Sequence, residues 1–247
     1  MGDQQSELTV VHVVRHGEVH NLEKILYGRA PGFRISARGQ QMALAAGDYL
    51  AGLTAQPPVS YVAASPLERA QQSARVIADR FGLSVGTDDR LLESQNFFAG
   101  RKLRRVDLLR NLHRLYNPFR PSWDEPYRSV AARMTAALHA ACDVVNTDVA
   151  NAAAGSAAWA SPDRAARETG EGGAAVLVSH QLPIWILRRH LSKQRLWHSP
   201  SRRRCALGSV TSFTFRGREL AGISYHVPAP DLVAAALADD RAARVLR

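Results

Sequence analysis

Three short runs of apolar, largely β-branched residues punctuate this chain: Leu8 to Val14 (LTVVHVV), Val59 to Ala64 and Ala174 to Ser179. Each is of strand length and apolar on both faces, so each must be covered on both sides, as a parallel strand between helices is. Helical patterns follow. The first predicted helix runs from Ala37 to Leu53, with Ser36 as its cap and with Met42, Ala46, Tyr49, Leu50 and Leu53 on one face. Ser65-Pro66-Leu67-Glu68 has the form of a capping box opening a second helix, which buries Ala70, Ala74, Ile77, Ala78 and Phe81 before Gly82 stops it. A short strand is expected over Leu83 to Val85. A longer helix after Pro126 carries Tyr127, Val130, Met134, Ala137, Leu138, Ala141 and Val145 as its stripe, and Leu182 to Leu191 resumes helix after the third run. Val210 to Phe215 and Ala221 to His226 pair as a hairpin around Arg216-Gly217-Arg218, and the Ala-rich stretch from Asp231 is helical. This rhythm predicts a three-layer α/β/α sandwich with a mainly parallel central sheet.

The 247 residues are expected to form a single domain over 1–247, carrying a basic cap insertion at about 97–124 and a mobile surface loop at about 146–173. From Gly100 to Arg120, Arg101, Lys102, Arg104, Arg105, Arg110, Arg114 and Arg120 face one acid, Asp107. The formal charge of +10 favours acidic partners, and the excess of arginine over lysine suits phosphate, which a guanidinium grips through parallel charge-assisted hydrogen bonds. Cys142 and Cys205 show neither a pairing pattern nor metal-ligand spacing, which is the economy of a reducing, cytoplasmic setting. No secretory signal and no apolar run of membrane-spanning length is present, so no membrane partner is expected. Arg202-Arg203-Arg204 resembles a nucleic-acid contact but has no interleaved aromatics, so it reads as a solvated loop and nucleic acid is not the expected partner. A homodimer is left open.

In an open parallel sheet the reactive cleft lies beyond the carboxyl ends of the strands. The first run ends in Arg15 and His16, the second is followed by Ser65 and then by Arg69 in the first helical turn, and the third ends in His180. Two imidazoles and two guanidiniums therefore converge on one pocket. Arginines offset the charge of a transferring phosphoryl group, and a neutral imidazole attacks phosphorus without prior deprotonation. His12, His16 and His20 are spaced four apart, but His12 sits in a strand pattern that breaks the cluster, so no metal site is expected.

These residues resemble the histidine phosphatase superfamily, also called phosphoglycerate-mutase-like. Arg15-His16-Gly17-Glu18 with Asn21 is similar to its signature, Ser65 to Ala74 (SPLERAQQSA) to its second block, and Ser179-His180 to its third. With Gly28-Arg29 and Gly39-Gln40-Gln41, the resemblance covers Leu8 to about Leu191. It implies that His16 becomes the phosphohistidine, that Arg15, Asn21, Arg69 and His180 bind the phosphate, and that Glu93 protonates the leaving oxygen, with Glu18 as the reserve acid. It implies no metal and no organic cofactor. Arg29, Arg104 and Arg105 are candidates for shaping the substrate site. Val19 and Gln181 depart from the family pattern, and the segment after Glu93 lacks its usual glycine and acidic residues.

The Arg-His-Tyr-Gly stretch of mutases is also missing, which favours a phosphatase acting on the phosphomonoester of a small acidic metabolite. The alternatives are a phosphomutase and a phosphate-binding protein with weak or no catalysis. If the basic insertion meets a second negative charge on the substrate, charge reversal at Arg104 and Arg105 will raise KM; unchanged kinetics across a phosphoester panel would remove the idea.

Overall fold

The computed structural model describes residues 8–102, 109–110, 125–153 and 172–245. At its centre lies a six-stranded sheet in the order β3-β2-β4-β1-β5-β6. The strands are β1 (Leu8–Arg15), β2 (Val59–Ala64), β3 (Val85–Thr87), β4 (Ala174–Ser179), β5 (Val210–Arg216) and β6 (Glu219–His226). β1 to β4 run parallel, and β5 is antiparallel to both β1 and β6. The mainly parallel three-layer sandwich expected from the strand and helix rhythm is the architecture observed.

Alternation along the central strands feeds both covering layers. Val11, Val13, Ala175 and Leu177 face α3 (Tyr127–Ala153) and α4 (Gln181–Leu191), packing with Met134, Leu138, Ile184 and Leu187. Val10, Val14, Val176 and Val178 face α1 (Ala37–Ala51) and α2 (Glu68–Ala78), packing with Ala46, Leu50, Ala74 and Ile77. A last helix, α5, spans Pro230–Val245. None of the described helices is long and apolar enough to cross a membrane.

Several element ends differ from the sequence expectation, each for a local reason. Ser36 does cap α1, its hydroxyl accepting from Gly39 N at 3.0 Å. Ser65 does not cap α2 as a capping box would: the helix begins at Glu68 with Leu67 at its N-cap position, and no side chain caps it. Gly82 closes the turn after α2 in a left-handed conformation (φ 63°), and the chain pairs only from Val85, two residues later than expected. α3 continues through Ala153, into the stretch read as a loop, because the Ala-rich sequence there is itself compatible with helix. The rest of that stretch up to residue 171, and most of the basic insertion, lie outside the described residues.

The strand ends are level with one another. Arg15 is paired with Ser179 across β1 and β4, and Ala64 with Val178 across β2 and β4. The ladders run one residue further, since His16 N donates to Ser179 O at 3.1 Å and Ser65 N to Val178 O at 3.0 Å.

His12, on β1, is buried with Nδ1 2.8 Å from Ser212 Oγ, which accounts for it as a core histidine. Burial lowers its pKa to about 4. The unfolded chain therefore binds this proton before the folded one does, and the stability associated with a neutral His12 is present above the ordinary value of 6.5 and lost as pH falls from there towards 4. The loss is expected to be about 3 kcal/mol on the scale of ~1.4 kcal/mol per tenfold change. Denaturant unfolding between pH ~7 and ~4 should show this decline, with a shallower slope in His12→Gln.

Candidate active site

His16 leaves the end of β1 and is almost wholly buried, with its ring centroid 5.1 Å from that of His180 at the end of β4. Its Nδ1 lies 2.7 Å from the carbonyl oxygen of Gly17. A carbonyl can only accept, so Nδ1 carries the proton and Nε2 presents a lone pair. Burial, then the charges of Arg69 and Arg15, hold the His16 pKa well below the ordinary histidine value. The ring is neutral at physiological pH, the state a nucleophile needs.

Backbone contacts hold this loop against α1 and α2. Gly17 N donates to Ser73 Oγ at 3.1 Å, and that hydroxyl donates to Arg69 O at 2.8 Å, tying the histidine loop to the first turn of α2. A side chain on Gly17 would collide with the Gly39 carbonyl, and one on Gly39 with the Glu18 carbonyl. Glycine at both positions permits the close approach of the loop to the start of α1.

Arg15 and Arg69 bring two cations to the same place. Arg15 Nη1 donates to Cys205 O at 2.6 Å, and Arg69 Nη2 to Gly28 O at 2.6 Å. Gly28 itself has φ 45°, a left-handed conformation that favours glycine. The Nε atoms of both arginines are buried without a hydrogen-bond partner among the described residues. A buried N–H left unpaired is costly, so a site built this way favours an acceptor with several oxygens.

Glu93 completes the cluster. Its carboxyl accepts from Ser94 N at 2.9 Å, and its main-chain oxygen accepts from Arg29 Nε at 2.5 Å. Burial raises its pKa, opposed by the Ser94 hydrogen bond and by the charges of Arg69, Arg15 and Arg203. Burial also lowers the pKa of His180, aided by His16, Arg69 and Arg15. The same two guanidiniums thus act on both imidazoles and on the carboxyl, and ring contacts bring His16 to His180 and, through Tyr27, to Arg69.

The sequence profile of the histidine phosphatase superfamily (branch 1) matches residues 11–226. The chain belongs to this superfamily. An uncharacterized Mycobacterium tuberculosis protein, Rv0525, is 47% identical over 227 residues, covering 90% of this chain and 98% of its own. Among solved structures, Bacillus stearothermophilus YhfR superposes with a TM-score of 0.63 at 19% identity, covering 89% of this chain and 95% of its own. The mycobacterial glucosyl-3-phosphoglycerate phosphatase Rv2419c superposes with a TM-score of 0.58 at 24% identity, covering 90% and 97%. These two structural likenesses are likenesses of fold.

Other predicted residues of this superfamily member fall less simply. The Asn21 side chain is engaged with the backbone of Ile25, donating to its oxygen at 2.8 Å and accepting from its nitrogen at 3.0 Å, so it braces the loop that follows the histidine. Arg29 also meets Glu125 Oε2 at 3.3 Å, and Arg133 holds the same carboxylate through two contacts of 2.9 Å. Arg29 therefore ties the main chain of Glu93 to the Glu125 carboxylate. Arg104 and Arg105 lie outside the described residues. Glu18 is not placed as a reserve acid: its carboxylate is taken by Ser36 Oγ at 2.5 Å and Arg38 Nη1 at 3.1 Å.

Two residues near the site escaped the sequence reading. Arg203, taken as part of a solvated loop, donates through Nε to His198 Nε2 at 2.9 Å, and the His198 ring is stacked by Tyr127 at 5.6 Å. Tyr27 lies under the Arg69 guanidinium, 4.6 Å from ring centroid to Cζ, and meets the His16 ring edge-on at 6.4 Å. No local pattern marks an aromatic residue as the platform for a distant arginine. A cation–π contact of this kind contributes about 0.5–2 kcal/mol, so Tyr27→Leu should weaken orthovanadate binding roughly 2- to 30-fold. Tyr27→Phe should retain most of it, as measured by inhibition constants.

Proposed function

We propose that this protein is a phosphatase that hydrolyses the phosphomonoester of a small acidic metabolite through a phosphohistidine on His16. The observation that carries this is the tautomer of His16: the Gly17 carbonyl accepts a hydrogen bond from Nδ1–H and leaves the Nε2 lone pair free, in a ring that burial and two arginines keep neutral. In the first step the Nε2 lone pair forms the N–P bond while the bond from phosphorus to the ester oxygen breaks. Glu93 gives its proton to that oxygen, and the alcohol leaves. In the second step water attacks phosphorus, Glu93 takes back a proton, and inorganic phosphate and free His16 result. Arg15, Arg69 and His180 hold the phosphoryl oxygens throughout, and Asn21 bonds the loop beside them.

Glu93 suits this acid and base role because burial moves its pKa upward, keeping the proton on the carboxyl closer to neutral pH than an exposed glutamate would. Specificity for an acidic leaving group is supported by Arg203, anchored by His198 two residues before the Cys205 carbonyl that binds Arg15, and by the basic composition of the 97–124 insertion. Nothing in this scheme calls for a metal or an organic cofactor.

A short exposure to phosphoester should leave acid-labile, base-stable phosphate on the wild type and none on His16→Ala. Label at another residue, or full turnover by that variant, would remove the proposal. Glu93→Gln should lower turnover of alkyl phosphates by roughly 10²–10⁴-fold. It should spare p-nitrophenyl phosphate far more, because nitrophenolate departs without a proton. Equal losses on both substrates would take the acid role away from Glu93.

A further inference from the structure

The two histidines of the site are held by neighbours of opposite kind. His16 Nδ1 meets a carbonyl oxygen at 2.7 Å, whereas His180 Nε2 meets a hydroxyl, Ser65 Oγ, at 2.8 Å. A carbonyl can only accept, but a hydroxyl can do either, and its direction is decided by what else surrounds it.

Ser65 is fully buried at the end of β2, with N bonded to Val178 O at 3.0 Å and O receiving Gln71 Nε2 at 3.1 Å. Pro66 follows and restricts it to extended backbone. Its Oγ also receives the Leu67 N–H at 3.4 Å, a long contact. If His180 carried its proton on Nε2, Oγ would accept from both Nε2–H and Leu67 N–H. The hydroxyl proton would then have no acceptor among the described residues. If Ser65 donates to Nε2 instead, the hydroxyl proton, Nε2 and the Leu67 N–H are all paired. The imidazole proton must then sit on Nδ1, because burial and the neighbouring His16, Arg69 and Arg15 keep this ring from carrying two.

Nδ1 of His180 is itself buried with no hydrogen-bond partner. It belongs to a ring beside His16, in the pocket shared with Arg15 and Arg69. With a proton there, the ring is a neutral donor for an anion held by the arginines. With a lone pair there, it would repel the same anion.

We propose that Ser65 is a positioning residue that locks neutral His180 into its Nδ1–H tautomer, so that one imidazole of the pair serves as nucleophile and the other as hydrogen-bond donor to the phosphoryl group. The donor role rests on the phosphatase reading above; the tautomer does not.

The test uses full-length protein labelled with ¹⁵N-histidine. Long-range ¹H–¹⁵N correlation of the side chains distinguishes the tautomers, and His180→Gln identifies the signal. Wild type should show Nδ1–H on His180; an Nε2–H pattern overturns the proposal, whatever the enzyme's activity. Ser65→Ala should bring in the Nε2–H form and weaken orthovanadate inhibition by about tenfold, a modest share of what a hydrogen bond to a charged group contributes. Ser65→Thr keeps the hydroxyl and should restore both. If Ser65→Ala leaves tautomer and inhibition unchanged, Ser65 has no such role. If the tautomer is as stated but the wild type never forms phosphohistidine, the assignment of Ser65 holds and the function proposed above is the part that fails.

Discussion

The site depends on the level ending of adjacent parallel strands. Backbone hydrogen bonding sets Arg15 against Ser179 and Ala64 against Val178, so the next residues, His16, His180 and Ser65, leave the sheet side by side. A register slip of one residue would send each side chain to the opposite face of the sheet, and the slip is resisted by the apolar cover on both faces of β1, β4 and β2. The same burial that stabilises the fold therefore fixes the distance between the two imidazoles.

Burial and charge pull in opposite directions inside this pocket. Withdrawal from water keeps His16 and His180 neutral and moves the Glu93 pKa upward, while Arg15 and Arg69 add to the first effect and oppose the second. Two guanidiniums can persist in such a place because each is anchored by a main-chain carbonyl, that of Cys205 or of Gly28, and because Tyr27 lies beneath Arg69. The anchors consume only part of each fork. The remaining N–H groups make the pocket receptive to a tetrahedral anion, the physical basis for reading a superfamily member as a phosphoryl-transfer catalyst.

Supports for the site come from side chains beside the reacting groups as well as from distant segments. Ser73 links the histidine loop to α2, Asn21 braces the turn to Ile25, Arg29 grips the main chain of Glu93, and His198 holds Arg203. Each is a hydrogen bond that ties a side chain to a main-chain group or to the His198 ring, and Arg203 adds its charge to those acting on Glu93. The segment between α4 and β5 brings Gly208 N to within 3.1 Å of Arg15 O and so ties to the end of β1.

By itself the sequence determined the strands and most helices and singled out His16, Arg15, Arg69 and His180 as candidates, because apolar runs flanked by helix signals are local patterns and strand ends have positional meaning. It also pointed to Glu93, whose buried carboxyl lies within the electrostatic reach of both arginines. Only the tertiary structure decided that Ser65 turns from its expected helix cap to His180, that Glu18 is occupied by Ser36 and Arg38, and that Tyr27 and Arg203 stand beside the site. The physical reason is range. Helix and strand periodicity are written within a few residues, whereas a hydroxyl, carboxylate or aromatic ring chooses among partners that chain folding delivers from far away.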